Sequence, residues 1–332
     1  MNTKSTVGFG LSLCLGMGAI GMLAYKAGVD RLLQIMERLS WQFLLLATLF
    51  FAAGWFFRTW RIARLSLPQA PAAAYLFRIQ IAGFAINAIL PMKIGDALTI
   101  IGLNGARINI AQATAIVVQL RILDLFILLM ATLPLVFTEK HADLPQWIAH
   151  AIYILGLSAS LPPIFTALMF CPRIHNILDA KVMSLRPTKL RRVLRIIMDV
   201  GGSYREIILR GRLFLESACL TCMIWLMEGM TTWMVSLALG VPVQLHFLLP
   251  ALAIANLSKA APATPGGIGI YEGVMALMLT SSGIPFDYAL AIAICDHILK
   301  KTCILGVGLP CVPALIGPKW MHIIRTMKFK ES

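Results

Sequence analysis

The chain has 332 residues, of which 59% are hydrophobic and only 13% charged, with a formal net charge of +14. So low a charged fraction excludes a soluble globular domain, and apolar windows of about 18 or more residues read as membrane-spanning helices. The basic residues concentrate between the apolar segments, as the positive-inside rule requires, which argues for anionic lipid and against nucleic acid as a partner.

In chain order, a first span is expected at 7–25. No small-residue cleavage site follows it, so it reads as a retained span and not as a removed signal peptide. A connection with Lys26, Asp30, Arg31, Glu37 and Arg38 leads to a second span at 40–57. That span is expected to end at Arg58, Arg61 and Arg64, three cations placed on the cytoplasmic side. Segment 74–103 is apolar but interrupted: Pro91 and Gly95 break the helix, and Asn87, Lys93 and Asp96 are polar within it. Spans at 111–137 and 146–170 follow, with Lys140 as the only Lys or Arg between them.

The connection 171–212 holds ten Lys and Arg residues against Asp179, Asp199 and Glu206. Within it Leu190, Val193, Leu194, Ile197 and Met198 recur at helical spacing. They predict an amphipathic helix that either lies on an anionic leaflet or packs on the spans. A span at 213–239, a connection at 240–247 without Lys or Arg, a second interrupted segment at 248–281 and a last span at 286–316 complete the membrane part. The tail, 317–332, carries Lys319, Arg325, Lys328 and Lys330.

The stretch from Lys259 to Gly273 is the most unusual. Pro262 and Pro265 remove backbone donors, and Gly266, Gly267 and Gly269 disfavour helix in the middle of apolar sequence. Backbone freed in this way cannot face lipid and has to be buried in protein or line a wet cavity. Charge sets the topology. With Arg58–Arg64, 171–212 and the tail on one side, and 138–145 and 240–247 on the other, the crossings close only if both interrupted segments dip in and return. The expected fold is an all-α polytopic membrane protein, a single domain over 1–332. It has about six full transmembrane helices and two re-entrant, Pro/Gly-broken helical hairpins (74–103 and 248–281) in opposed orientation, with both termini cytoplasmic.

Opposed hairpin tips would bring Lys93, Asp96, Lys259 and Glu272 around one cavity. Asn87, Asn256, Thr264, Gly266, Gly267 and Tyr271 belong to the same breaks. The span at 111–137 adds Gln119, Arg121 and Asp124, and the last span adds Asp296, His297, Lys300 and Lys301. Each pair taken singly reads equally as a structural ion pair; four polar clusters on four membrane segments read as a lined cavity. Helix N-termini at the breaks would favour an anionic guest such as phosphate. Glu228 is a lone acid, either a bonded packing element or a proton site, and Trp225 and Trp233 read as packing or interface residues.

Cys219 and Cys222 read as small packing residues, and no disulfide is assigned. Gly266-Gly267-Ile268-Gly269 lacks the context of a nucleotide loop, and no metal, cofactor or catalytic motif is present.

Three elements together carry a resemblance. Asn87-x-x-x-Pro91-x-Lys93-x-Gly95-Asp96, Arg121-x-x-Asp124 and Pro262-x-x-Pro265-Gly-Gly-x-Gly269-x-x-Glu272 resemble the flippase-like transmembrane domain of bacterial lysylphosphatidylglycerol synthases. The resemblance covers nearly the whole chain and implies movement of a polar-headed lipid between leaflets of the cytoplasmic (inner) membrane. It also implies re-entrant helices. The aminoacyl-transfer domain that follows in those synthases is expected to be absent here, so no enzyme activity is expected. Two departures stand out. Leu98-Thr99-Ile100 lies where the family often has an arginine, and the last span has Asp296-His297 and Lys300 where an arginine is also common. Lysine lacks the bidentate grip of arginine, which allows for a different headgroup.

On this reading Lys93, Arg121, Lys259 and Lys300 hold a phosphate. Asp96, Asp124, Glu272 and Asp296 pair with them, contact headgroup amines or hydroxyls, or carry a coupling proton. The partners expected are a membrane phospholipid or polyprenyl-linked lipid, anionic lipid at the basic connection, and a second copy or a soluble biosynthetic enzyme. The runner-up is an accessory or catalytic subunit in membrane-lipid or lipid-linked glycan synthesis.

Overall fold

The computed structural model describes residues 3–90, 93–136, 189–259 and 264–315, which form helices and turns with no strand among them. The span expected at 146–170, the prolines Pro91 and Pro262, most of the basic connection and the tail lie outside the described residues.

Helix α1 (Thr3–Ala27) ends at Gly28, whose φ of 86° is open to glycine but strained for other residues. Helix α2 (Val29–Glu37) leaves at 86° to α1. The charged connection expected there is therefore an amphipathic helix. Leu32 and Ile35, one turn apart, are buried, while Arg31 reaches out to Asp287 at 3.7 Å.

Helix α3 runs from Trp41 to Leu65, eight residues past the expected end of the second span. Its apolar residues continue through Ile62 and Leu65, both buried, so Arg58, Arg61 and Arg64 lie on the helix and not in a cytoplasmic connection. These three cations meet partners on other helices, which removes the cost of leaving them unpaired. Helix α4 (Ala73–Ile89) and α5 (Ile94–Gly105) form the first hairpin, and α6 (Ile110–Val136) is a long apolar rod.

Helix α7 (Lys189–Leu209) falls where the amphipathic pattern was expected, packs on α6 and α8, and buries Tyr204 and Ile207. Helix α8 (Gly211–Ala238) pairs with α3 along most of its length. The second hairpin is α9 (Leu245–Ser258), a tight turn at Pro265–Gly267, and α10 (Ile270–Ser281). Helix α11 (Phe286–Gly308) packs on α10, α4 and α8, and the short α12 (Cys311–Leu315) returns to α4.

Helices α3, α6 and α8 are long and apolar enough to cross a membrane, and the bent α1–α2 pair is a fourth candidate. The hairpin arms are not. They have 17, 12, 14 and 12 residues, about 18–25 Å at 1.5 Å per residue, against a hydrocarbon core of about 30 Å. Outward faces carry Leu45, Leu49 and Phe56 on α3 and Leu215 and Leu226 on α8, all exposed, an apolar surface suited to lipid.

The first hairpin closes unusually tightly. A Cβ on Gly83 would lie 2.9 Å from the carbonyl oxygen of Gly95 and 2.7 Å from the Thr99 hydroxyl, and one on Gly95 would collide with the carbonyl of Gly83. Only hydrogen fits at both positions. The two hairpins meet at their tips, where Gly266 (φ 60°) leaves no room for a side chain beside the carbonyl of Ala88.

Candidate functional site

Two networks of buried charge flank this junction. In the first, the α5 N-terminus is closed by Asn87 on α4. Its Oδ1 accepts the Gly95 N–H at 2.7 Å and its Nδ2 donates to Asp96 Oδ1 at 3.0 Å. Arg121 on α6 grips the same carboxylate with two N–H groups, Nε to Oδ2 at 2.8 Å and Nη2 to Oδ1. Such bidentate pairs are the strong ones.

One turn further along α6, Asp124 lies 3.8 Å from Arg121 but takes its closest partner from α3: Arg61 donates to it at 2.7 and 3.4 Å. Arg61 also donates to the Thr221 hydroxyl of α8 at 2.7 Å. Signs thus alternate from Asp96 through Arg121 and Asp124 to Arg61. Between them lies a cavity of about 30 Å³, also lined by Gln80, Gly83, Phe84 and Thr99, room for a single water.

The second network centres on Asp296 of α11, which is fully buried. It accepts from Tyr271 at 2.6 Å, Thr232 at 2.8 Å and Lys300 at 3.0 Å. Lys300 also reaches Glu228 at 3.0 Å, and Glu228 in turn binds Arg58 at 2.7 Å. The Arg58 guanidinium lies over the rings of Phe84, on the first hairpin, and Trp225. Glu228 is therefore no lone acid. It joins α3 to α11.

Glu272 occupies the N-terminus of its own helix. Its Oε2 accepts the Gly269 N–H at 2.8 Å, capping the helix start from within, and its Oε1 lies 2.6 Å from His297 Nδ1. The helix start expected to be open to an anionic guest is met by the protein's own carboxylate, as Asn87 meets the start of α5. Lys259 differs from the other cations. Its ammonium lies 3.8 Å above the Tyr271 ring and 3.1 Å from Asn256 Oδ1, with no carboxylate of the described residues within 4 Å.

Of the residues singled out in the sequence, the fold brings together Asn87, Asp96, Arg121 and Asp124. It separately brings together Tyr271, Asp296 and Lys300, and then Asn256, Lys259 and Tyr271. Gly266 and Gly267 form the turn, with Thr264 buried just before it. Of the four residues expected to ring one cavity, Lys93, Asp96, Lys259 and Glu272, this cavity touches only Asp96, and the carboxylates of Asp96 and Glu272 are each met by an arginine or histidine on an adjacent helix. Lys93, left-handed at φ 54° and exposed at the first hairpin's tip, enters none of the ion pairs among the described residues. Sequence reasoning missed Arg58, Arg61, Thr221 and Thr232. The signal was present: the apolar pattern runs on beyond Arg58, and Thr221, Thr231 and Thr232 interrupt the apolar stretches of α8.

A helical membrane domain that draws its charges into alternating networks around two broken hairpins is the class these features define. More specifically, the chain belongs to the lysylphosphatidylglycerol synthase TM region family, whose pattern matches residues 7–308. It is 20% identical over 322 residues to a UPF0104 membrane protein of Methanothermobacter thermautotrophicus, covering 91% of this chain and 94% of that one. A UPF0104 membrane protein of Pyrococcus horikoshii is 24% identical over 324 residues, 87% of this chain and 92% of its own. A shorter match, 35% over 92 residues, joins 26% of this chain to 15% of the glycosyltransferase AglD of Haloferax volcanii.

Proposed function

We propose that this chain moves a lipid with an anionic or lipid-linked polar headgroup between leaflets of the cytoplasmic membrane. The headgroup passes along the polar seam between the hairpins while its tails stay in the bilayer. The observation that carries this reading is the position of the charge. Two ion-pair networks, and Lys259 and Lys301 with no carboxylate partner among the described residues, lie beside hairpin arms too short to cross a membrane. Intramembrane charge is costly and marks pathways for polar solutes, and paired broken segments mark the binding region of transporters. Family membership and the absence of a nucleotide motif in the sequence agree with transport that is downhill or ion-coupled.

In this reading six helices span the membrane, the two hairpins enter from opposite faces, and both termini are cytoplasmic. The basic connection meets anionic lipid. The chain acts as a transporter and not as an enzyme, alone, as a homo-oligomer or beside a soluble biosynthetic enzyme, on a phospholipid or a polyprenyl-linked lipid.

The test is leaflet exchange in liposomes holding the purified protein and fluorescent anionic or zwitterionic lipids, read by dithionite quenching. Wild type is expected to support exchange, and Lys93→Ala and Glu272→Gln to lose most of it. Exchange undiminished in both variants would remove the hairpins from the pathway.

A second reading, a subunit in lipid-linked glycan synthesis, is favoured by the partial match to a glycosyltransferase. It predicts that activity of a partner transferase falls when the chain is removed, while liposome exchange stays at the protein-free level.

A further inference from the structure

The cations around the hairpin junction divide into two kinds. Arg58, Arg61, Arg121 and Lys300 are each held by one or two carboxylates. Lys259 and Lys301 pair with no carboxylate among the described residues, although both are half-buried beside the second hairpin's turn. The Lys301 ammonium lies against Gly266 and 3.4 Å from the carbonyl of Ala88, so it sits where the two tips touch. The Lys259 side chain runs along Gly267, where a Cβ would come within 2.8 Å of it, and its ammonium covers the Tyr271 ring. That ring is 4.8 Å from the His297 imidazole, centroid to centroid.

A second observation points to a ligand. Thr264 Oγ1 and His297 Nε2 are both buried and have no hydrogen-bond partner among the described residues. Thr264 is 9% exposed and His297 4%, so neither can rely on bulk water, and buried polar atoms left unsatisfied are uncommon. Thr264 opens the turn that Lys259 and Lys301 flank. His297 spends its Nδ1 on Glu272, which leaves Nε2 on the far side of the ring. The three carboxylates nearest to this place are also engaged: Glu272 with His297 and Gly269, Glu228 with Arg58 and Lys300, and Asp296 with Tyr271, Thr232 and Lys300. Four cations (Arg58, Lys259, Lys300 and Lys301) thus face three acids.

We propose that the turn of the second hairpin is a phosphate-binding site in which Lys259 and Lys301 supply charge, Thr264 Oγ1 donates a hydrogen bond, and His297 Nε2 donates another when the imidazole is protonated, its Nδ1–H being given to Glu272. A phosphate presents several acceptor oxygens in different directions, which suits two point-charge lysines and a hydroxyl better than it suits a planar carboxylate fork. The site deepens the transport reading and rests on it for the identity of the ligand, a lipid headgroup. It also revises which cations hold the phosphate, since Arg121 and Lys300 are neutralised by the protein itself.

The test follows thermal unfolding of the full chain in detergent during titration with dioctanoyl phosphatidic acid, inorganic phosphate, or dioctanoylglycerol, which has no phosphate. Phosphatidic acid is expected to raise the midpoint and dioctanoylglycerol to leave it unchanged. A response to inorganic phosphate as well means that the group alone suffices. A response to the lipid alone means that the tails contribute, and both support the site. Lys259→Gln and Lys301→Gln are each expected to weaken phosphatidic acid binding roughly tenfold, as loss of a charge-assisted contact does. Thr264→Val should weaken it by a smaller factor and Thr264→Ser restore it. Should Lys259→Gln fail to fold, Lys301→Gln, whose one side-chain bond among the described residues is the long one to Ala88, still decides. Equal affinity in wild type and in the folded lysine variants overturns the proposal. Binding without lipid exchange keeps the site and overturns the transport reading; exchange without phosphate binding does the reverse.

Discussion

Arg61 on α3 and Asp124 on α6 meet at 2.7 Å although 63 positions separate them, and both are buried. Three residues before Arg61 on the same helix, Arg58 reaches Glu228 at the same distance. One turn of α3 therefore anchors both charge networks, and α3 couples α6, α8 and α11 through them.

Removing one member of such a pair strands the other in a low-dielectric interior. Arg61→Ala is expected to lower unfolding free energy by roughly 3–5 kcal/mol, and Asp124→Asn by a similar amount. The combined exchange Arg61→Met with Asp124→Leu should cost much less than the two single losses together. Denaturant unfolding in detergent, arranged as a double-mutant cycle, checks this. Additive single effects would mean that the two residues do not interact.

The closeness of α4 and α5 depends on two glycines. Gly83→Ala and Gly95→Ala are expected to cut folded yield sharply, because each methyl would displace backbone of the facing helix. Gly202→Ala on α7 is the control. Nothing lies within 4 Å of its added Cβ, so helix propensity should make it neutral to stabilising by about 0.5–1 kcal/mol. Size-exclusion profiles and melting curves separate the two outcomes.

Thr232 donates to Asp296 and accepts from Lys300 at 3.1 Å. Thr232→Val keeps the shape and removes both bonds, for an expected loss of about 1–3 kcal/mol. Thr232→Ser should recover most of it. A loss as large in the serine variant would trace the effect to packing of the methyl and not to the hydroxyl.

Lys93 makes the opposite case. It is exposed and joins no ion pair among the described residues, so Lys93→Gln should leave stability within about 0.5 kcal/mol of wild type. Under the transport reading the same change slows leaflet exchange. Measuring both on one preparation tells a functional charge from a structural one.

Much of the hairpin pattern was legible in the chain itself. Gly95 in one segment, and Pro265, Gly266 and Gly267 in the other, read as helix breakers; the helix ends at Ile89 and resumes at Ile94, one residue before Gly95, and the second break falls on Pro265–Gly267 itself. The i, i+3 pair Arg121 and Asp124 was legible too, but its members are 3.8 Å apart and each has a closer partner elsewhere. The partner of Asp124 comes from α3, which sequence spacing along α6 cannot reveal. Glu228 looked solitary for the same reason: its two cations lie on α3 and α11.

Composition and local chemistry alone determined that the chain is helical and apolar, where the two hairpins break, and which side chains are too polar to face lipid. Those are properties of single residues and their immediate neighbours. Which cation meets which acid, that α2 is a helix turned aside from α1, and that Lys259 and Lys301 are left without carboxylates were decided only by tertiary packing. A charged side chain pairs with whatever the adjoining helix presents within a few ångströms, and helix adjacency is settled by the fit of whole faces.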